Sequence, residues 1–181
     1  MKKWVRLLAI LVGVTWILAA CGNKEETYEP AGINPDTDVC EVCAMAVADD
    51  QHATQIVLKN HRSLKFDDLG CLYSWLEDHG EEDVGAAFVR DFYTQEWIKL
   101  EDAAYVFGDE IHTPMSYGII SFKDVGDAEG YIEEHGHGEL LTAADLEHHK
   151  WEMMNHHHDH DAAARTTDNA RSATENAGGD S

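Results

Sequence analysis

The amino-acid sequence predicts an α+β fold made of two tandem ββαβ-like repeats, followed by a C-terminal helix and a disordered, His-rich tail. The first observation behind this prediction is an internal repeat: residues 66–80 match residues 122–136 at an offset of 56, with six of fifteen positions identical. The second is that both copies keep apolar residues at the i, i+3 and i+7 spacing of an amphipathic helix. Self-similarity of this kind indicates that one folding unit occurs twice.

Each repeat predicts one helix with a capping residue at both ends. Asp68 and Asp124 precede the apolar stripes and suit a helix N-cap, whereas Gly80 and Gly136 suit a helix end. The stripes consist of Leu69, Leu72 and Leu76 in the first copy and Val125, Ala128 and Ile132 in the second. Both helices therefore have one apolar face with which to cover a small sheet.

Short apolar runs around each helix predict the order strand, strand, helix, strand in both halves. The predicted strands are residues 54–58, 63–66 and 86–91 in the first repeat (about 53–91), and residues 103–107, 117–122 and 139–141 in the second (about 103–141). A last helix is predicted from residue 143 to about residue 154. It follows Thr142, and Asp145 lies three residues on, which is the spacing of a capping box.

The amino terminus has the three parts of a bacterial lipoprotein signal. Three basic residues within the first six precede a short apolar run over residues 7–18, and Leu18-Ala19-Ala20-Cys21 is typical of a lipobox. We therefore predict a signal peptide over residues 1–20 and a lipidated Cys21, carrying palmitate-type chains, that anchors the protein in membrane lipid on the extracytoplasmic face. An uncleaved signal anchor is the alternative.

The mature chain is predicted to have three regions. Residues 21–36 contain Pro and Gly among acids and indicate a tether, residues 37–154 form one domain, and residues 155–181 are predicted to be disordered because they lack large apolar residues. The full sequence has a formal net charge of −22. So acidic a chain argues against nucleic acid as a partner, because phosphate binding depends on Lys and Arg.

Cys40, Cys43 and Met45 form a cluster of sulfur-containing side chains just after the predicted tether. Thiolate and thioether sulfurs together select soft metal ions, above all Cu(I). In an extended segment residues i and i+2 face the same way, so Cys43 and Met45 are predicted to present sulfur to one point. No second Cys-x-x-Cys pair or finger-type His pair indicates a closed zinc site. A structural disulfide between Cys40 and Cys43 remains the main alternative.

Comparison of the two copies separates residues that the fold needs from candidates for function. Asp68, His79 and His135 occur at ends that both copies share, so they are interpreted as structural. The sulfur cluster, Cys71 and the loop His112-Thr113-Pro114-Met115 occur in one half only and are better candidates for function. Within that loop Met115 is the stronger predicted metal ligand, and His112 is the weaker one.

A His-rich tract near the C-terminus is a second, looser metal signal. It contains His156, His157, His158 and His160. Imidazole and carboxylate suit Cu(II), Zn(II) or Ni(II) better than Cu(I), so we predict weak binding of these ions by the tail. A solvated polar tail without such a role is the alternative.

Several motifs together resemble the NosL family, the copper lipoproteins that accompany nitrous oxide reductase. They are, in order, Cys40-x-x-Cys43-x-Met45, Phe66-Asp67-Asp68-x-Gly70-Cys71, Phe88-Val89-x-Asp91-Phe92-x-Thr94-x-x-Trp97, Ala103-x-Tyr105-Val106 and Thr113-Pro114-Met115-x-x-Gly118. The resemblance implies two ββαβ-like halves related to the core of organomercurial lyase. It also implies that Cys43, Met45 and Met115 bind Cu(I). Ala44 stands where the family commonly has Gly.

The resemblance implies a membrane-anchored, extracytoplasmic Cu(I) metallochaperone that takes part in denitrification. It would deliver copper for the maturation of nitrous oxide reductase, together with an ABC-type membrane complex, and would not be an enzyme. Cys40 is left open as a third ligand, a redox partner or a bystander. The alternatives are a thiol–disulfide oxidoreductase that uses Cys40 and Cys43, and a lipoprotein that buffers divalent metals. A lyase is a more distant one, because no paired-cysteine and aspartate arrangement is readable in the sequence.

Overall fold

The computed structural model describes residues 26–154. The predicted signal peptide, Cys21 and the His tract lie outside the described residues. Within them the chain forms two antiparallel sheets, each covered by a helix. The predicted α+β class is confirmed.

The first half contains four strands and one long helix. These are β1 (Thr54–Leu58), β2 (Ser63–Phe66), α1 (Leu69–His79), β3 (Val84–Arg90) and β4 (Trp97–Lys99). The strands lie in the order β2-β1-β3-β4. Every residue of β1 is buried, as expected for a strand that has neighbours on both sides and a helix above. Strand β4 was not among the sequence predictions.

The second half begins with a 3₁₀ turn at Leu100–Asp102 and has three strands. They are β5 (Ala104–Phe107), β6 (Ile119–Phe122) and β7 (Glu139–Thr142), and helix α2 (Val125–His135) lies between β6 and β7 in the chain. The sheet order is β6-β5-β7. In both halves, therefore, the first strand is central, and its neighbours are the next strand and the strand that follows the helix.

The two long helices begin and end in the same way. The Asp68 side chain accepts a hydrogen bond from the Gly70 N–H at 3.0 Å, and the Asp124 side chain accepts one from the Gly126 N–H at 2.8 Å. At the other ends Gly80 and Gly136 both have a φ of 74°. This positive φ is where glycine is favoured, because it has no Cβ.

The C-terminal helix is much shorter than predicted. Helix α3 covers only Ala143–Leu146, although the Asp145 carboxylate accepts hydrogen bonds from the Thr142 N–H and hydroxyl, as the capping-box spacing predicted. After Leu146 the chain leaves the helical conformation, and the Trp151 ring stacks on Tyr73 with centroids 4.3 Å apart. Tertiary contacts have overridden the local helical pattern.

Buried polar contacts join the two halves between β3 and β6. The Ser121 hydroxyl donates to the Arg90 carbonyl at 2.7 Å, and the Phe92 N–H donates to the Ser121 carbonyl at 2.8 Å. The Asp91 carboxylate accepts hydrogen bonds from Thr94 and from the Lys123 N–H. These bonds fix one half against the other.

Part of the predicted tether lies against the domain. The Gln55 side chain, buried in β1, exchanges two hydrogen bonds with the backbone of Ala31, and Ile33 packs against the core of the first half. Within residues 26–154, none of the helices has the length and apolar character needed to cross a membrane.

Candidate metal centre

Cys40 and Cys43 lie on a small hairpin over residues 38–47. Val39 pairs with Ala46, and the Cys40 N–H donates to the Met45 carbonyl at 2.8 Å. Ala44, at the tip, has a φ of 59°. The prediction that residues 43–45 are extended is therefore wrong, because a left-handed residue separates Cys43 from Met45.

The junction between β2 and α1 brings two more metal-binding side chains to the hairpin. Asp67 follows β2 directly, and Cys71 lies in the first turn of α1. The Glu41 N–H donates to the Lys65 carbonyl at 3.1 Å, which fixes the hairpin against β2. One ligand atom from each of four residues, Cys40, Cys43, Asp67 and Cys71, lies within 4.8 Å of the others. We call these four residues the thiol centre.

The thiol centre is buried except at one side chain. Cys40, Cys71 and Asp67 are 2%, 1% and 4% exposed, whereas Cys43 is half-buried. All three cysteines are free thiols, so the predicted alternative of a Cys40–Cys43 disulfide does not occur in the structure. Solvent therefore reaches the centre from the side of Cys43.

Hydrogen bonds make Cys40 the most acidic thiol of the three. The Cys71 thiol donates to the Cys40 sulfur and, with the backbone N–H groups of Cys43, Asp67 and Val42, lowers the pKa of Cys40 to about 6 against the opposing effect of burial. The Cys40 sulfur accepts several hydrogen bonds that stabilise its thiolate form.

The other two thiols hold their protons more firmly. Burial raises the pKa of Cys43 to about 12, and its hydrogen bonds with Cys40 and Asp67 act in the same direction. The Cys43 sulfur lies 3.3 and 3.2 Å from the two carboxylate oxygens of Asp67. The bond that Cys71 donates to Cys40, together with burial, raises the pKa of Cys71 as well. A metal ion that binds all three sulfurs must displace these protons.

Asp68 connects the thiol centre to the loop that contains Met115. Its carboxylate caps α1 and also accepts hydrogen bonds from the Thr113 hydroxyl at 2.7 Å and the Met115 N–H at 2.8 Å. The Thr113 hydroxyl in turn accepts the N–H groups of Tyr117 and Gly118 at 3.1 and 3.2 Å. Asp68 was interpreted as a structural cap, and it performs that role while also holding a loop of the second half.

The structure brings only some of the predicted metal ligands together. Cys40 and Cys43 are together in the thiol centre, and Met115 packs against the apolar cluster that contains Cys40. Met45 is 50% exposed. His112 is exposed, and its Nδ1 lies 2.9 Å from the Glu110 carbonyl oxygen. The predicted secondary tract and Cys21 fall outside residues 26–154.

Asp67 and Cys71 are the residues that sequence reasoning did not place in the centre. Both lie in the Phe66–Cys71 block, and Cys71 had been singled out because the second repeat has Asp127 in its place. The motif marked these residues as candidates, but no local pattern predicts contact between residues so far apart in the chain as Cys40 and Cys71. A paired-cysteine and aspartate arrangement is therefore present, contrary to the sequence interpretation.

The four side chains fit a soft or borderline metal ion. Metal–sulfur distances near 2.3 Å and metal–oxygen distances of 2.0–2.2 Å put neighbouring ligand atoms roughly 3.5–3.8 Å apart around a tetrahedral ion. The observed limit of 4.8 Å needs only a small contraction to reach this range. Fold and site together define an α+β domain with a thiol-rich centre at a hairpin that has the ligand set of a metal site.

Comparison with known proteins places the domain in a family. The NosL family model matches residues 31–151, so the chain belongs to the NosL family. Its fold is similar to that of the crystal structure of the copper chaperone NosL from Shewanella denitrificans. That match has a TM-score of 0.58 and 23% identity and covers 65% of this chain and 94% of the other. No curated protein matches the sequence.

Proposed function

We propose that the protein is a copper chaperone that binds Cu(I) at the thiol centre and delivers it for the assembly of nitrous oxide reductase. The observation that carries the proposal is the convergence of three free thiols, of which one is open to solvent. Thiolates are preferred ligands of Cu(I). Membership of the NosL family and the similarity to a copper chaperone support the same role.

The arrangement suits ligand exchange rather than permanent storage of the ion. Cys43 is the thiol that an arriving or departing ion meets first, because Cys40 and Cys71 lie beneath it. Met45 follows two residues later on the same hairpin and is half exposed, so its thioether is accessible to a partner. We propose that Cys43 and Met45 exchange ligands with the acceptor, and that the remaining one or two ligands of the Cu(I) site are drawn from the sulfurs of Cys40, Cys71 and Met115.

A thiol–disulfide oxidoreductase is less well supported by this geometry. Such an enzyme needs an accessible cysteine with a lowered pKa. In the thiol centre the cysteine with the lowered pKa, Cys40, is buried, and the accessible one, Cys43, has a raised pKa. The two properties are divided between different residues, so the observations favour metal binding.

Titration of the reduced, full-length mature protein with Cu(I) tests the proposal. We expect one tightly bound ion, and we expect Cys43→Ser to lower the affinity at least tenfold, because a soft anionic ligand is lost. Met45→Leu should also weaken binding. Met153→Leu is the matched control, because Met153 is similarly exposed, at 56%. If the protein takes up no Cu(I), or if Cys43→Ser and Met45→Leu both bind as the parent does, the proposal is wrong.

We further propose that the protein works on the extracytoplasmic face of the membrane, held there by lipid on Cys21 and assisted by an ABC-type complex. The support is the lipobox sequence and the NosL family membership. The test is complementation of a denitrifying host that lacks its own NosL protein. The parent should restore the copper content of nitrous oxide reductase, and Cys21→Ser should release the protein from membranes. Full copper loading without any NosL protein would contradict this role.

A further inference from the structure

We propose that the turn between β1 and β2, residues 59–62, binds the anionic phosphate headgroups of the membrane and so directs the thiol centre away from the lipid. This inference rests on the proposed lipid anchor at Cys21. It adds an orientation to that anchor, because a flexible link to lipid limits the distance of a domain from the membrane but not its rotation.

The described part of the predicted tether is bound along the first sheet. The Tyr28 ring lies over Gly85, where a Cβ would come within 2.5 Å of a ring carbon. A few residues later the Gly32 carbonyl accepts a hydrogen bond from the Lys65 Nζ at 3.0 Å. From Tyr28 onwards the segment is therefore part of the domain, and it holds the domain in a defined position relative to the start of the segment.

The bound segment runs beside β2 from the turn towards the thiol centre. The Tyr28 ring lies against the ring of His61 in the turn, with centroids 5.3 Å apart. Gly32 is bound by Lys65, one residue before β2 ends. Asp38, where the hairpin begins, pairs with the same lysine. The chain therefore enters the domain beside the turn.

Little chain separates the predicted lipid from this point of entry. Five residues lead from Cys21 to Glu26, and a fully extended chain of that length spans about 18 Å at most. The lipid on Cys21 would therefore hold the turn close to the headgroup region of the membrane.

The turn carries cations that no carboxylate pairs with. Most lysines and arginines between residues 26 and 154 form an ion pair with a carboxylate, namely Lys65, Arg90, Lys99 and Lys123. Lys59, Arg62 and Lys150 do not, and the first two belong to the turn. All four residues of the turn are exposed. Exposed Lys and Arg side chains are attracted to anionic lipid headgroups.

The charge of the rest of the chain favours the same orientation. The nearest acidic loop meets the turn through its backbone, because the Lys59 Nζ donates to the Glu82 carbonyl. The full sequence has a formal net charge of −22, so an anionic membrane repels most of the surface. The turn is the part that can approach such a membrane with a favourable interaction.

Strand β2 separates the turn from the thiol centre. The strand covers Ser63–Phe66, and Asp67 follows it directly. At about 3.3 Å per residue, Arg62 and Asp67 lie roughly 17 Å apart along the strand. A membrane at the turn therefore leaves the thiol centre at the far end of β2, with Cys43 open to an acceptor outside the membrane.

The test uses the lipidated, full-length mature protein in nanodiscs of phosphatidylcholine and phosphatidylglycerol that contain a lipid with a nitroxide headgroup. Paramagnetic broadening of the backbone amide signals in NMR spectra reports which residues approach the headgroups. We expect the strongest broadening at residues 59–62 and much weaker broadening at residues 38–47. Arg62→Glu should lower the population that has the turn at the membrane about fivefold or more, because an attraction is replaced by a repulsion. Lys150→Glu is the matched control, because Lys150 is also exposed and forms no ion pair within residues 26–154, and it should leave the pattern unchanged.

The outcomes separate this inference from the anchor on which it rests. Absence of lipid on Cys21, measured by mass spectrometry, would contradict the anchor and this inference with it. A lipidated protein in which residues 38–47 are broadened as strongly as residues 59–62 would overturn the inference alone, and so would an unchanged pattern in Arg62→Glu. The comparison of the two segments needs only the parent protein, so it does not depend on the folding of a variant.

Discussion

Ala44, at the tip of the hairpin over residues 38–47, has a backbone conformation that is unfavourable for a residue with a Cβ. With φ at 59°, it occupies the left-handed region, which costs a residue with a Cβ roughly 1–2 kcal/mol. The resemblance to the NosL family had already marked this position as one where Gly is common. The structure gives the physical reason, because the turn that brings Met45 back to pair with Cys40 has a positive φ at this position.

Replacing Ala44 by Gly is expected to stabilise the protein. Relief of the strained φ should exceed the entropic cost of Gly and raise the free energy of unfolding by about 1 kcal/mol. The measurement is urea unfolding of the metal-free, reduced protein. Ala46→Gly is the matched control in the same hairpin, since Ala46 is exposed and has no positive φ. It should lose roughly 0.5–1 kcal/mol, and a loss of similar size in Ala44→Gly would count against strain at the tip.

At the scale of elements, the thiol centre is assembled where β2 ends and α1 begins. The two long helices have equivalent capping aspartates, but only Asp68 also binds a loop from the other half of the molecule. The helical stripes and caps are local signals, so they were predictable from the sequence. The contacts of Asp68 with Thr113 and Met115 join residues more than forty positions apart, and no local pattern reports them.

The two caps make a matched pair for mutation. Asn is as good an N-cap as Asp, so Asp124→Asn should change the free energy of unfolding by less than about 0.5 kcal/mol. Asp68→Asn should cost about 2–3 kcal/mol. One carboxylate oxygen of Asp68 caps the helix and the other accepts from Thr113 and Met115, whereas Asn has only one oxygen that can accept. Urea unfolding measures both values. Equal effects of the two substitutions would mean that Asp68 is only a helix cap.

The difference between local patterns and long-range contacts also explains which other elements were predicted correctly. Strands β1 and β2 were predicted at their observed bounds because the apolar run of β1, the alternation of β2 and the turn between them are local signals. The last helix was predicted to be too long, because Trp151 packs on Tyr73 and the helical spacing does not report that contact. Cys40 and Cys43 were identified from their spacing, whereas Asp67 and Cys71 joined them only through the fold.

At the scale of the whole molecule, the two halves are joined by buried hydrogen bonds around Asp91. Burial alone would raise the pKa of Asp91, but hydrogen bonds from Lys123 and Thr94 outweigh it and lower the pKa below the ordinary value of 3.8. A carboxyl group with a lowered folded-state pKa stabilises the fold above its unfolded-state pKa. That stability is lost as the pH falls through the folded-state value.

Acid unfolding should therefore depend on Asp91. In the parent protein we expect the free energy of unfolding to fall as the pH drops below about 4. Asp91→Asn should be less stable at neutral pH and should lose less stability on acidification than the parent. Thermal unfolding followed from pH 7 to pH 3 measures this difference. Parallel pH profiles for the two proteins would show that the contact between the halves does not depend on the Asp91 charge.

The tail is expected to act separately from the domain. Deletion of residues 155–181 removes the His tract and should lower the number of weakly bound divalent ions, while the tight Cu(I) site remains. Equilibrium dialysis with Ni(II) and competition titration with Cu(I) measure the two effects. Loss of the tight Cu(I) site on deletion would mean that tail and thiol centre are one site.

The most direct measurement of the central claim is X-ray absorption at the copper edge of the full chain loaded with one equivalent of Cu(I). If the thiol centre holds the ion, the spectrum should show two or three sulfur neighbours, and Cys43→Ser should lower that number. A spectrum of the parent with only nitrogen and oxygen neighbours, unchanged by Cys43→Ser, would contradict the account.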